Sequence, residues 1–230
     1  MAVILNIETS SDTCSVALTV DCAVQMHFEN FDERNHASTV SGYIRQCLDQ
    51  LRADKRKLDA VAVSIGPGSY TGLRIGLSEA KGVAYALNVP LIGIPTLQIM
   101  TASVMFNHTN IDLSTRFAPM LDARRMEVYT AVYDMWLKDV MPVQPLILTT
   151  DSYADLLAQG PLLMFGPGSD KARSVITHPN AHFISNIRPL ATDMLALSEK
   201  AFRQSNFLDL AYSTPEYLKE FQAVKSRPLL

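Results

Sequence analysis

Residues 58–87 read LDAVAVSIGPGSYTGLRIGLSEAKGVAYAL, and this stretch narrows the possible folds more than any other. Positions 58–65 are apolar almost throughout, as a strand covered on both faces would be. Four glycines and one proline follow between Gly66 and Gly76. Residues 70–87 then have the length of a helix of about 27 Å at 1.5 Å per residue. The glycines have two uses to weigh. A Walker A loop starting at Gly66 would need its second glycine where Thr71 stands, and one starting at Gly68 would need it at Leu73. A dinucleotide GxGxxG likewise meets Thr71 in place of its third glycine. What remains of the phosphate reading is the general attraction of a strand-to-helix turn for anions. The packing reading is more specific. Gly72, Gly76, Ala80 and Ala84 recur every four residues, and Gly82 adds a further small side chain. On a helix they form a smooth stripe where another backbone can come close. With Leu73, Ile75, Leu77, Val83, Tyr85 and Leu87 the helix is apolar nearly all round, which is the pattern of a buried helix. We therefore expect the sheet to cover one side. The other cover is either the preceding helix of the same chain or a helix of a partner.

Ahead of this unit, residues 2–9, 14–20 and 23–28 are three short strand-like runs split by ETSSDT and Asp21, an antiparallel meander. Asn35 is placed to cap a helix over 35–53 that carries Val40, Tyr43, Ile44, Cys47, Leu48 and Leu51 at helical spacing. Residues 90–94 read as another strand, and Thr96 opens a helix to about residue 106. The first half is thus βββαβαβα, a mixed sheet with helices on it. Beyond it we expect a strand pair around DARR at 122–125, a helix over 152–159, a strand over 162–165 before a second GPGS, and an amphipathic helix over 190–202. That divides the chain into a first lobe, 1–105, and a smaller second lobe, 106–205. The irregular tail, 206–230, is expected to pack back on the first lobe.

Several functional classes are disfavoured by what the chain lacks. A net charge of −3 with no dense Lys/Arg block argues against a chain that grips nucleic acid unaided, and Lys219, Lys225 and Arg227 in the tail are too few to change that. Cys14, Cys22 and Cys47 have neither disulfide nor zinc spacing. Only His178 and His182 of the five histidines lie four apart, and the Pro and Asn between them do not favour a helix face, so no metal is expected. No GxSxG occurs. No basic leader precedes the first apolar run and no stretch approaches a membrane span of about 18 residues, so the expectation is a cytoplasmic protein.

Taken together, ILNIETSSDTCSVAL at the start, NHASTV at 35–40, GPGSYTGLRIG at 66–76 and MLDARRMEVY at 120–129 form an ordered series. It resembles the TsaB (YeaZ) family over residues 1 to about 135, and the remainder only in outline. The resemblance implies an actin-like and Hsp70-like fold (ASKHA, ribonuclease H-like) with two α/β lobes, the second reduced. It implies a non-catalytic scaffold that binds TsaD and supports threonylcarbamoyl transfer to adenosine of tRNAs reading ANN codons. TsaE and a homodimer are the other implied partners, with tRNA met only through the complex. No cofactor is expected of the chain itself, and ATP or ADP with Mg²⁺ only in company with partners. The implied partner surface comprises His36, Val40, Tyr43, Ile44 and Cys47 of the first helix. Tyr70, Leu73, Arg74, Gly76, Leu77, Ala80, Lys81 and Ala84 of the second complete it. A vestigial phosphate site would use Glu8, Thr9, Ser10 and Ser11 with Gly66, Gly68 and Ser69. The alternative is an enzyme of the same fold, an ATP-binding phosphotransferase or an M22-type peptidase.

Overall fold

A computed structural model describes residues 2–31, 36–108 and 111–219. Three strands, β1 (Val3–Glu8), β2 (Cys14–Val20) and β3 (Ala23–Asn30), form the expected meander, each turn closed by polar residues. Helix α1 (His36–Ala53), strand β4 (Ala60–Gly66), helix α2 (Tyr70–Leu87), strand β5 (Leu91–Pro95) and helix α3 (Thr96–Asn107) complete βββαβαβα. The sheet order is β3-β2-β1-β4-β5, with β1 and β4 parallel, and β4 and β5 parallel. Strands β1, β2 and β4 lie in the middle and are buried along almost their whole length, which is why 58–65 shows no polar alternation. The Asn35 cap lies outside the described residues.

The second sheet repeats the first. Strands β6 (Arg116–Asp122), β7 (Glu127–Tyr133), β8 (Asp139–Ile147), β9 (Leu162–Phe165) and β10 (Ala181–Ile184) are arranged β8-β7-β6-β9-β10. The meander is again antiparallel and the two later strands again parallel to the first. The two GPGS copies fall at equivalent places, after β4 and after β9, and their first glycines share a left-handed backbone, φ +118° at Gly66 and +100° at Gly166. The second lobe is reduced in its helices. Helices α4 (Ala154–Gln159) and α5 (Ser169–Arg173) have six and five residues where α1 and α2 have eighteen each.

Helix α3 joins the lobes. Ile99 and Ala102 pack into the core under the first sheet, while Leu97, Met100 and Val104 pack into the core of the second. From Thr96 to Val104 every residue but Gln98 is buried, so it is this helix that is covered nearly all round. A 3₁₀ turn (Ala191–Met194) and the last helix, α6 (Leu195–Arg203), had been expected with the second lobe. They pack instead on the first sheet, where Ala191, Met194, Leu197 and Ala201 join Ile4, Ala62 and Ile92. The tail beyond Ser205 continues along β5, pairing Leu208 with Leu91.

Candidate functional site

Two regions bring together the residues singled out in the sequence. The first is where the ETSSD turn meets the glycine loop. Glu8, Thr9 and Ser10 are buried, at 0%, 0% and 1% exposure. The Ser69 amide donates to the Ser10 carbonyl at 2.7 Å, the Thr9 hydroxyl donates to the Gly72 carbonyl at 2.8 Å, and the Thr9 amide reaches Ser64 Oγ at 3.4 Å. Ser69 Oγ accepts from the Gly72 amide and caps α2. These contacts show what the glycines are for. A Cβ on Gly68 would stand 2.2 Å from the Ser10 carbonyl oxygen, and one on Gly72 2.1 Å from that of Thr9. The turn and the helix start are pressed backbone to backbone, and the Thr9 hydroxyl and the Ser69 amide of the phosphate reading are spent in this contact. Ser11 and Gly68 keep partial exposure, and Ser69 is exposed at the start of α2.

Glu8 is the chemically unusual member of this cluster. Its Oε1 accepts from the Ser10 amide at 2.5 Å, whereas Oε2 is buried and finds no partner among the described residues. Burial raises its pKa to about 7, against hydrogen bonds from Ser10 and Ser64 that lower it, with Asp193 adding a small repulsion. Asp193, on the returning 3₁₀ turn, is itself raised to about 6, again chiefly by burial. Among the described residues, no group of three or more His, Cys, Asp or Glu side chains is placed to hold a metal ion.

The second region is the outer side of α1 and α2, and here the structure corrects the sequence reading. Val40, Ile44 and Cys47 are at most 3% exposed, and Leu73, Leu77, Ala80 and Ala84 at most 5%. All but Leu73 belong to one core with Leu5, Val16 and Val63. Gly76 is buried too, and a Cβ there would meet Thr9 Oγ1 at 2.2 Å. The small stripe therefore seats the helix on its own sheet, and these eight residues are covered by the chain itself. Tyr43 is half-buried, stacked on Phe28 at 4.9 Å. The side chain of His36 lies outside the described residues. Tyr70, Arg74 and Lys81 do lie at the surface, but under the chain's own tail. Arg74 Nε donates to Tyr217 Oη at 2.9 Å, Lys81 Nζ donates to the Ser213 carbonyl at 2.7 Å, and the Tyr70 and Tyr217 rings lie 4.9 Å apart.

What stays open is a groove of about 410 Å³ between the helices, lined by Leu48, Arg52, Ser78, Glu79, Gly82, Val83, Ala86 and Leu87. A Cβ on Gly82 would meet nothing within 4 Å. Tyr85, 80% exposed, and Leu87, 44% exposed, stand at the same end of α2. The sequence reading counts Val83, Tyr85 and Leu87 with the covered apolar part of the helix and sets Ser78 and Glu79 on a narrow polar side. The signal that separates them is spacing, since Thr71, Arg74, Ser78, Gly82 and Tyr85 step by three and four along one arc, and all but the last are polar or glycine.

In the second lobe, the DARR turn is closed by a lysine instead of by its own arginines. Lys171 Nζ donates to Asp122 Oδ1 at 2.9 Å and to the carbonyls of Arg125 and Glu127, and Asp122 also accepts from the Arg124 amide. Lys219 from the tail pairs with Glu127. Lys225 and Arg227 lie outside the described residues. His178 and His182 are exposed, and His182 lies on β10. Among the described residues, no helix is long and apolar enough to cross a membrane.

Comparison with known proteins agrees with this architecture. The family model described as "TsaD: tRNA N6-adenosine threonylcarbamoyltransferase" matches residues 30–220. The chain is 28% identical to the tRNA threonylcarbamoyladenosine biosynthesis protein TsaB of Escherichia coli, over 98% of each chain. It is 32% identical to TsaB of Bacillus subtilis over 63% of this chain and 62% of that one. The crystal structure of YeaZ from Pseudomonas aeruginosa superposes with a TM-score of 0.78 at 23% identity, covering 95% of this chain and all of the other. With the duplicated two-lobed fold, the matching family model and end-to-end similarity to TsaB, the chain belongs to the TsaB (YeaZ) family.

Proposed function

We propose that this chain is a subunit of tRNA threonylcarbamoyladenosine biosynthesis that carries no chemistry of its own and docks on TsaD through the groove between α1 and α2. The single observation behind this reading is an open groove with a side-chain-free floor at Gly82 and an exposed tyrosine at its end. A helix laid there can approach α2 closely at Gly82, and Tyr85 offers the kind of aromatic anchor that dominates interface energies. Two helices of eighteen residues are long enough to supply about 800 Å² to a standard interface. The TsaB names of the relatives and the match to the TsaD model support TsaD as the partner. A second copy of the chain would use the same groove, so homodimer and heterodimer compete. TsaE joins the pair, and tRNA is met through the assembly, in keeping with a net charge of −3. The packing of Ser10 and Thr9 against the glycine loop supports nucleotide and Mg²⁺ entering only with partners.

Replacing Gly82 by Trp fills the groove without touching the core. The expected result is at least tenfold weaker capture of TsaD and a thermal midpoint within about 3 °C of the parent, a change of under 1 kcal/mol in a chain of this size. Undiminished capture would remove the groove from the interface. Calorimetry of the isolated chain with ATP and Mg²⁺ should show no binding. Micromolar binding accompanied by hydrolysis would move the reading to a phosphotransferase.

A further inference from the structure

The tail, residues 205–219, is held in a way that differs from the rest of the molecule. It leaves α6 through Ser205, whose backbone is left-handed at φ +54°. It then runs beside β5 and over α2 to the glycine loop. Its contacts are made mostly by its backbone. The Leu208 amide donates to the Leu91 carbonyl at 2.8 Å, and the Glu216 amide donates to the Ile65 carbonyl at 2.8 Å. Lys81 Nζ holds the carbonyls of Ala211 and Ser213 at 3.2 and 2.7 Å. Two side chains anchor the far end, Lys219 on Glu127 and Tyr217 on α2. Tyr217 receives the Arg74 hydrogen bond, and Arg74 in turn lies 4.1 Å over the Tyr70 ring. Gly66 leaves room for this passage, since a Cβ there would stand 2.8 Å from the Glu216 carbonyl oxygen.

This is the chemistry of an extended-peptide site, with main-chain hydrogen bonds for affinity and an aromatic pocket for register. The segment lies over the helix without close packing. A pocket of about 300 Å³, lined by Leu77 and Ser78 on one side and Ser213, Thr214 and Pro215 on the other, opens beneath it and is bridged by Arg74 and Lys81. Only Leu208 and Leu210 reach the core, and both stay partly exposed. With a few main-chain hydrogen bonds and little core packing behind them, the segment belongs to the low end of local opening free energies. What holds it is tethering, which gives a chain end an effective concentration in the millimolar range.

We propose that the flank of α2 bearing Tyr70, Arg74 and Lys81 is an exchangeable extended-peptide site. The chain's own residues 207–219 fill it in cis, and the same segment of a second copy enters when the cis contact is loosened. The tail is thereby a strap over the face of α2 that adjoins the docking groove. This inference stands independently of the role proposed above.

The test uses the full chain and a fluorescent peptide, FLDLAYSTPEYLK, corresponding to residues 207–219. Wild type should show no saturable binding up to about 100 µM, because the tethered copy outcompetes it. The double variant Glu216→Pro, Tyr217→Ala loses the amide donor and the aromatic anchor of the cis segment. It should bind the peptide at least tenfold more tightly, and adding Lys81→Ala should abolish that gain. Equal binding to wild type and the double variant would overturn the proposal. So would global unfolding of the double variant, since the tail would then be part of the core. Hydrogen exchange on wild type gives a second reading. The amides of Leu208 and Glu216 should exchange at least a hundredfold faster than those of β4, and exchange as slow as β4 would equally overturn it.

Discussion

Gly72→Ala should lower the thermal midpoint by about 6–12 °C, while Gly82→Ala, ten residues further along the same helix, should raise it. The added methyl at position 72 would lie 2.1 Å from the Thr9 carbonyl oxygen, a backbone atom fixed by the β1 end and by the ETSSD turn. Nothing flexible is available to yield, so either α2 lifts from the sheet or the turn distorts. Overpacking of this kind costs about 3 kcal/mol, which in a chain of this length corresponds to the stated shift. At position 82 the methyl meets nothing within 4 Å, and replacing glycine by alanine in an exposed helix interior gains up to about 1 kcal/mol. Differential scanning calorimetry on the two variants reads both signs. A Gly72→Ala chain as stable as the parent would mean that the small stripe is not what seats α2 on its sheet. The same logic reassigns Gly76, whose added Cβ meets Thr9 Oγ1 at 2.2 Å. A bulky residue there should unfold the chain before it reports on any partner.

The pair of glycines also shows what could be read from the sequence and what could not. The strand, loop and helix of residues 58–87 were legible because each local signal agreed with the next. An apolar run of strand length, turn residues and a helical period left one arrangement, and α2 spans the expected Tyr70–Leu87. The helix covered nearly all round is α3, whose two flanks enter two different cores and whose Thr96, Thr101 and Ser103 are buried with its apolar residues. On α2 the apolar residues are divided between a core face and an exposed end. Only the outward arc of Thr71, Arg74, Ser78 and Gly82 distinguishes them. Strand β8 was hidden by Pro142 and Pro145, residues that argue against a central strand yet are tolerated at the sheet edge, where β8 lies. The division of lobes was hidden for a different reason. Nothing local in residues 190–203 says which of two sheets an amphipathic helix will cover, and the choice is made by tertiary packing against Ile4, Ala62 and Ile92. The candidate loop site was half legible. ETSSDT read as a polar turn, and it is one, but its burial depends on a glycine loop sixty residues away that seals it.

That seal has a measurable electrostatic consequence. Glu8 titrates near 4.5 when the chain is unfolded and near 7 when folded, because burial disfavours its charged form. The folded state therefore holds the proton over a range where the unfolded state has lost it. The sign follows from proton linkage. The Glu8 contribution to stability is most favourable below pH 4.5, declines as the pH rises through the interval between 4.5 and about 7, and carries the full penalty above that. A shift of this size corresponds to about 3 kcal/mol at pH 8. Asp193, raised to about 6 by the same cause, adds to the decline in the same direction and over an overlapping range. Glu8→Gln removes one of the two carboxyls while keeping its shape and an acceptor for the Ser10 amide. It should raise the thermal midpoint at pH 8 by several degrees and leave it nearly unchanged at pH 4.5. If the variant is no more stable than wild type at pH 8, the carboxylate has a partner that offsets its burial, and the junction of turn and glycine loop would then be a built anion-free polar site in place of a sealed one. If the gain appears equally at both pH values, it comes from packing and not from charge.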